Sequence, residues 1–127
     1  DVDAAIVREL RANDVLFIDS SHVIRPQGDV VREFLELLPL LAPGVLVHIH
    51  DIFTPRDYPR GWVVDEVRLW NEQYLLEAFL TCNTRFRVLG ALNFLARDHP
   101  GRLAEKFPVF REKAGACDPG SLWLVSR

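Results

Sequence analysis

The 127-residue chain contains no methionine and only two cysteines, Cys82 and Cys117. Two thiols this far apart have no metal-type spacing, and they read as reduced cysteines of a cytosolic protein. Without a methionine, Asp1 is not read as a natural start, and the chain is expected to be an excised piece of a longer protein. Lysine is almost missing, with 2 residues against 13 arginines; we read this as genomic base bias rather than a demand for anion pairing. Excess positive charge is also lacking: the net charge is −3. Nucleic-acid modules usually carry a basic patch, so no nucleic-acid partner is expected. No apolar run approaches the ~20 residues of a membrane span, and Asp1-Val2-Asp3 does not open like a secretory leader. A cytoplasmic protein without a membrane partner is expected.

The seven glycines are dispersed and never form Gly-x-Gly. That excludes a dinucleotide-type phosphate loop within these residues. A P-loop and a Gly-x-Ser-x-Gly nucleophile elbow are missing as well. Ser20 and Ser21 adjoin His22, but sequence neighbours seldom make a catalytic pair. What remains is 49% hydrophobic, enough for one core without disulfide staples. No repeat or low-complexity tract divides the chain, so residues 1–127 are expected to form a single domain.

The apolar pattern alternates helix and strand. Residues 3–12 place Ile6, Val7 and Leu10 on one helical face, and Asn13-Asp14 breaks it. Val15-Leu16-Phe17-Ile18 is a wholly apolar run with the length and composition of a buried strand. Asp29 suits an N-cap for a helix over Val30–Leu41, ended by Pro43-Gly44. Val45–Ile49 reads as a second strand, so the two strands should be parallel with a right-handed crossover. The spacing predicts a loop over 52–61 and a long helix from Val63 to about Thr81, with Val63, Val67, Trp70 and Tyr74 along one face. Phe86–Leu95 is strand-like, residues 101–113 are helical with a break at Pro108, and Ser121–Ser126 is a last strand. The sum is an α/β layered fold.

In open parallel sheets, ligands bind beyond the carboxyl ends of the strands. Both ends here are polar: the first runs into Asp19-Ser20-Ser21-His22, the second into His50-Asp51. Adjacent strands lie ~4.8 Å apart, so Asp19 and Asp51 can reach one small ligand. The cluster has three readings. It is a divalent metal site held by Asp19 and Asp51, with His50 a third ligand. Or it does acid/base work through His22 or His50. Or the same residues cap turns and bond to backbone. His48 and His50 share a strand face, and His-Ile-His-Asp resembles the start of a metal hydrolase, but His48 lies inside the strand and reads rather as a hydrogen-bonded core histidine. The 52–62 loop carries Phe53, Tyr58 and Trp62 among Arg56, Asp57 and Arg60. It is either a lid over an organic substrate, with Tyr58 and Trp62 as contacts, or a proline-stiffened connection anchored by its aromatics. Trp70-Asn71-Glu72 and Tyr74 read as core and helix surface rather than site.

Val15–His22 (Val-Leu-Phe-Ile-Asp-Ser-Ser-His), a helix, and then Leu41-Ala42-Pro43-Gly44 leading to His48-Ile49-His50-Asp51 resemble the C-terminal half of class I S-adenosylmethionine-dependent methyltransferases. The small-molecule O-methyltransferase-like branch is the most similar, with its Ile-Asp-x-x-His and its Pro-Gly…His-Asp. The resemblance implies a Rossmann-like three-layer sandwich, of which this chain holds strands four to seven, the last antiparallel. It implies Asp19 at the cofactor–substrate junction with Ser20, Ser21 and His22 lining it, and, in metal-dependent relatives, a cation such as magnesium held by Asp19 and Asp51. His22 or His50 is then the base for an acceptor hydroxyl. The family's glycine-rich cofactor loop has no counterpart here. The chain alone is therefore expected to bind S-adenosylmethionine weakly or not at all, to have no turnover, and to associate with itself through an exposed sheet edge. A non-catalytic assembly domain on the same half-fold, and a metal hydrolase using His48, His50 and Asp51, are the alternatives.

Overall fold

A computed structural model describes residues 3–113 and 118–127; Cys117 lies outside them. Helix α1 (Ala4–Glu9) is capped by the Asp3 carboxylate, which accepts from Ala5 N–H at 2.8 Å. Strand β1 (Val15–Ile18) follows, then α2 (Asp29–Arg32), which runs on through a wider π turn at Glu33–Leu37 and a 3₁₀ turn at Leu38–Leu40. Pro39 has no N–H for the carbonyl four residues back, so a regular helix cannot reach Leu41. The N-cap is Gly28, not Asp29. The Asp29 carboxylate instead takes Ser21 N–H at 2.9 Å and the Ser21 hydroxyl at 2.5 Å.

Strand β2 (Leu46–His50) pairs parallel with β1, placing Phe17 opposite His48 and Ile18 opposite Ile49. The expected helix over 63–81 is only half present: a π turn at Gly61–Asp65, an irregular stretch, then α3 (Glu72–Leu80). Val63, Val67 and Tyr74 are exposed rather than aligned on a buried face. Trp62 and Trp70 are used differently, enclosing the Arg68 guanidinium at 4.3 and 4.7 Å from their ring centres. Strand β3 (Phe86–Ala91) stops earlier than its apolar run, because Leu92 begins helix α4 (Leu92–Asp98). Helices α5 (Pro100–Lys106) and α6 (Pro108–Glu112) divide at Pro108, and β4 (Ser121–Ser126) closes the sheet.

The strand order is β1-β2-β4-β3, with β4 antiparallel to both neighbours. One sheet face, carrying Ile18, Val47, Ile49, Leu122 and Leu124, is packed against Val7, Val30, Phe34, Leu38 and Leu76 of the helices. Each such side chain removed from water contributes about 1.5–3 kcal/mol. The opposite face is covered incompletely. Leu92, Leu95 and Phe107 line a cavity with Trp123 at the β3–β4 end, but Val15 and Phe17 on β1 remain 48% and 54% exposed. The three layers implied by the resemblance are thus present only in part. No helix among the described residues is long and apolar enough to cross a membrane.

Candidate functional site

The parallel pairing of β1 and β2 brings their carboxyl ends to one rim. His22 and Asp51, just beyond the strands, have φ of +59° and +55°. Asp and His tolerate this left-handed region better than most residues, and the turn it makes swings both side chains back over the strand ends. Asp51 is held by its N–H, which donates to Gly120 O at 2.8 Å at the start of β4.

The four rim groups form a connected line. Asp19 Oδ1 lies 3.4 Å from His22 Nε2 and 3.6 Å from His50 Nδ1, so one carboxylate oxygen stands between two imidazoles. His50 Nδ1 is also 3.2 Å from Asp51 Oδ1. The second strand's histidine is half-exposed while Asp51 is mostly covered.

A fifth group completes the line from the other side. Glu72, wholly buried in the first turn of α3, approaches His22 Nδ1 with Oε1 at 2.7 Å. The start of α3 is docked onto the β1 rim by backbone bonds: the His22 carbonyl accepts from Asn71 N–H at 2.9 Å and Glu72 N–H at 3.3 Å. The Asn71 side chain returns a third bond, accepting from Ile24 N–H at 2.6 Å. Trp70 packs against the His22 ring, with centroids 4.1 Å apart and the rings tilted by 36°. Burial alone pulls the His22 imidazole toward neutrality. The Glu72 hydrogen bond and the charges of Glu72, Asp51 and Asp19 outweigh it, and its pKa is raised. Glu72 itself is pushed up by burial, against the pull of His22. The positive charge of this pair sits best on His22, which faces two carboxylates.

Sequence reasoning placed Glu72 on the helix surface and so missed it. The signal was weak: one acidic residue in a helical stretch gives no hint of a partner fifty positions earlier.

The remaining expected site residues are distributed as follows. Ser20 donates its hydroxyl to Glu33 Oε2 at 2.8 Å, and Ser21 is bonded to Asp29. The two serines therefore brace the β1–α2 connection instead of presenting free hydroxyls. Tyr58 is buried, and its hydroxyl accepts from Gln73 N–H at 3.1 Å. Burial raises its pKa. Tyr58 therefore anchors the 52–62 loop to α3, together with Gln73, whose amide takes Phe53 N–H and donates to Arg56 O. Trp62 keeps a partly accessible ring, edge-on to Phe53 and Trp70. Loop and α3 thus form one aromatic block behind the rim.

His48 is stacked on Trp123, with centroids 4.3 Å apart and rings 10° from parallel. Burial and the neighbouring His50 lower its pKa. It belongs to the sheet face and does not join His50 and Asp51 in a ligand set. Among the described residues no group of three or more His, Cys, Asp or Glu is arranged to hold a metal ion. Asp19 and Asp51 meet through the His50 imidazole between them, which leaves these two carboxylates as the residues that would hold the implied cation.

No curated protein and no solved structure matches the chain. Residues 2–52, which contain α1, β1, α2 and β2, match a family model described as "Methyltransferase domain". The match ends one residue past Asp51, and it bears out the class I methyltransferase resemblance for the segment that builds both strand ends.

Proposed function

We propose that the chain carries the acceptor side of an S-adenosylmethionine-dependent methyltransferase acting on a hydroxyl of a small molecule. The observation that carries this reading is the position of His50. Its buried Nδ1 lies 3.2 Å from Asp51 Oδ1 and 3.6 Å from Asp19 Oδ1 without a hydrogen bond to either, so Nε2 is the nitrogen that the half-exposed ring offers to a proton. His22 is bracketed by carboxylates on both nitrogens, so His50 rather than His22 is the base. Asp19 would border the cofactor at the end of β1. When bound, the cofactor supplies an electrophilic methyl group. The chain's own work is to orient the acceptor against the rim, take its hydroxyl proton at His50 Nε2, and stabilise the resulting imidazolium with Asp51 and Asp19.

On this reading β1, β2, β3 and β4 correspond to strands four to seven of the family sheet, and the antiparallel β4 between β2 and β3 supports it. Because no Gly-x-Gly is present, the chain by itself lacks the cofactor cradle. Calorimetric titration of the 127-residue chain with S-adenosylmethionine should give little or no heat, and labelled-methyl assays no product; micromolar binding overturns this part. In any longer active protein containing these residues, His50→Gln should lower kcat by ~10²–10⁴. An unchanged kcat removes His50 from the role.

A second reading, an assembly domain without catalysis, has one observation in its favour. Strand β1 is a sheet edge whose side chains Val15 and Phe17 are about half-exposed, the kind of edge that pairs with another chain.

A further inference from the structure

We propose that Glu72 is a positioning residue: by holding His22 between two carboxylates, it fixes the Asp19 carboxylate beside His50. The geometry is a continuous path, Glu72 Oε1 to His22 Nδ1 at 2.7 Å, His22 Nε2 to Asp19 Oδ1 at 3.4 Å, and Asp19 Oδ1 to His50 Nδ1 at 3.6 Å. It crosses three elements, from α3 through the β1 rim to the end of β2. Nδ1 lies within hydrogen-bond distance of Glu72 Oε1 and Nε2 faces Asp19 Oδ1 at ion-pair distance. A ring carrying both N–H protons suits both neighbours, and the proposal assigns that form to His22.

Three features hold the ring in place. Trp70 packs against it at a tilt, the His22 backbone is bonded to Asn71 and Glu72, and its φ is left-handed. Strain of that kind persists where the surroundings over-determine it. Burying an acid without a partner is costly, and no side-chain hydrogen bond caps the start of α3. Its one partner among the described contacts is His22, and its other oxygen, Oε2, is buried without any. The carboxylate is therefore placed for His22. The charged groups that act on His22 are Glu72 from α3, Asp19 from the β1 rim, Asp51 from the β2 rim and Glu33 from the π turn after α2, and all are acidic.

This proposal rests on the methyl-transfer reading only for its consequence in catalysis. Its test uses no substrate, so the two fail separately. Long-range ¹H–¹⁵N spectra of the imidazoles are recorded near neutral pH for the wild-type chain, Glu72→Gln, Glu72→Asp, His22→Gln and the Glu72→Gln/His22→Gln pair. In the wild type both His22 nitrogens should carry protons, with a slowly exchanging Nδ1–H. Glu72→Gln should abolish that pattern and shift the His50 resonances, and Glu72→Asp should restore part of it. If Glu72→Gln does not fold, His22→Gln alone must still shift His50. Where both fold, the double variant should shift His50 no further than either single one. A doubly protonated His22 that survives Glu72→Gln overturns the proposal. So does a His50 spectrum indifferent to His22→Gln. A lowered melting temperature with unchanged imidazole spectra reduces Glu72 to a structural residue.

Discussion

At the scale of single residues, the site depends on where charges are held rather than on how many there are. His22 is the clearest case. Its native pKa lies above the ordinary ~6.5, because Glu72 and Asp19 favour the imidazolium more than burial opposes it. A group raised in this way stabilises the fold fully below its unfolded pKa, and that contribution is lost as pH rises through the native value. The urea midpoint of the wild type minus that of His22→Gln should therefore shrink from mildly acidic to alkaline pH. A difference that grows with pH contradicts the ion pair. Asp29 behaves in the opposite sense. Burial works against its charge, but its bonds from Ser21 prevail and lower its pKa. Ser21→Ala should accordingly lose stability at neutral pH and approach the wild type as acid protonates Asp29.

At the scale of elements, the turn ahead of β2 bears a steric demand that is easily tested. Gly44 has φ +87°, and a Cβ there would lie 2.6 Å from the Ala12 Cβ. Its N–H and carbonyl are bonded to Ser126 and Asn13, joining the strand entries on both sides. Gly44→Ala should cost at least ~1–2 kcal/mol from the left-handed backbone alone, read as a lower urea midpoint. Phe34, fully buried in the π turn after α2, should cost about 3–5 kcal/mol on substitution by Ala. These elements also show what the sequence made legible. The strands were plain, because short β-branched and aromatic runs between turn residues admit few other structures. The run at Phe86–Leu95 misled only at its end, where the same apolar residues serve equally in a helix. The stretch 63–71 was misread because apolar spacing cannot tell a helical stripe from a cage of tryptophans around Arg68. For the site, Asp19, His22, His50 and Asp51 followed from strand-end position. Glu72 did not, since its role comes from the docking of α3 on the β1 rim, a tertiary contact without local trace. The bonds of the serines and Tyr58 had no local trace for a related reason: a polar group near a rim can also be engaged by the connections that build it.

At the scale of the whole molecule, the sheet has two edge strands, β1 and β3. Among the described residues no strand pairs with β1 beyond β2, and its Val15 and Phe17 stay about half-exposed. Such an edge invites pairing. The chain should elute as a concentration-dependent dimer or larger species in light-scattering chromatography, and Phe17→Lys should return it to a monomer. A monomer at every concentration, with Phe17→Lys unchanged, removes the edge as an interface.

The central claim is that the β1 and β2 ends form one rim suited to a methyl donor and its acceptor. The most direct measurement is heteronuclear NMR of the backbone amides and imidazoles during titration with S-adenosylmethionine to millimolar concentration. The account predicts weak, unsaturated shifts confined to Asp19–His22 and His50–Asp51, with Glu72 following. Shifts concentrated instead around the α4–α6 helices contradict it.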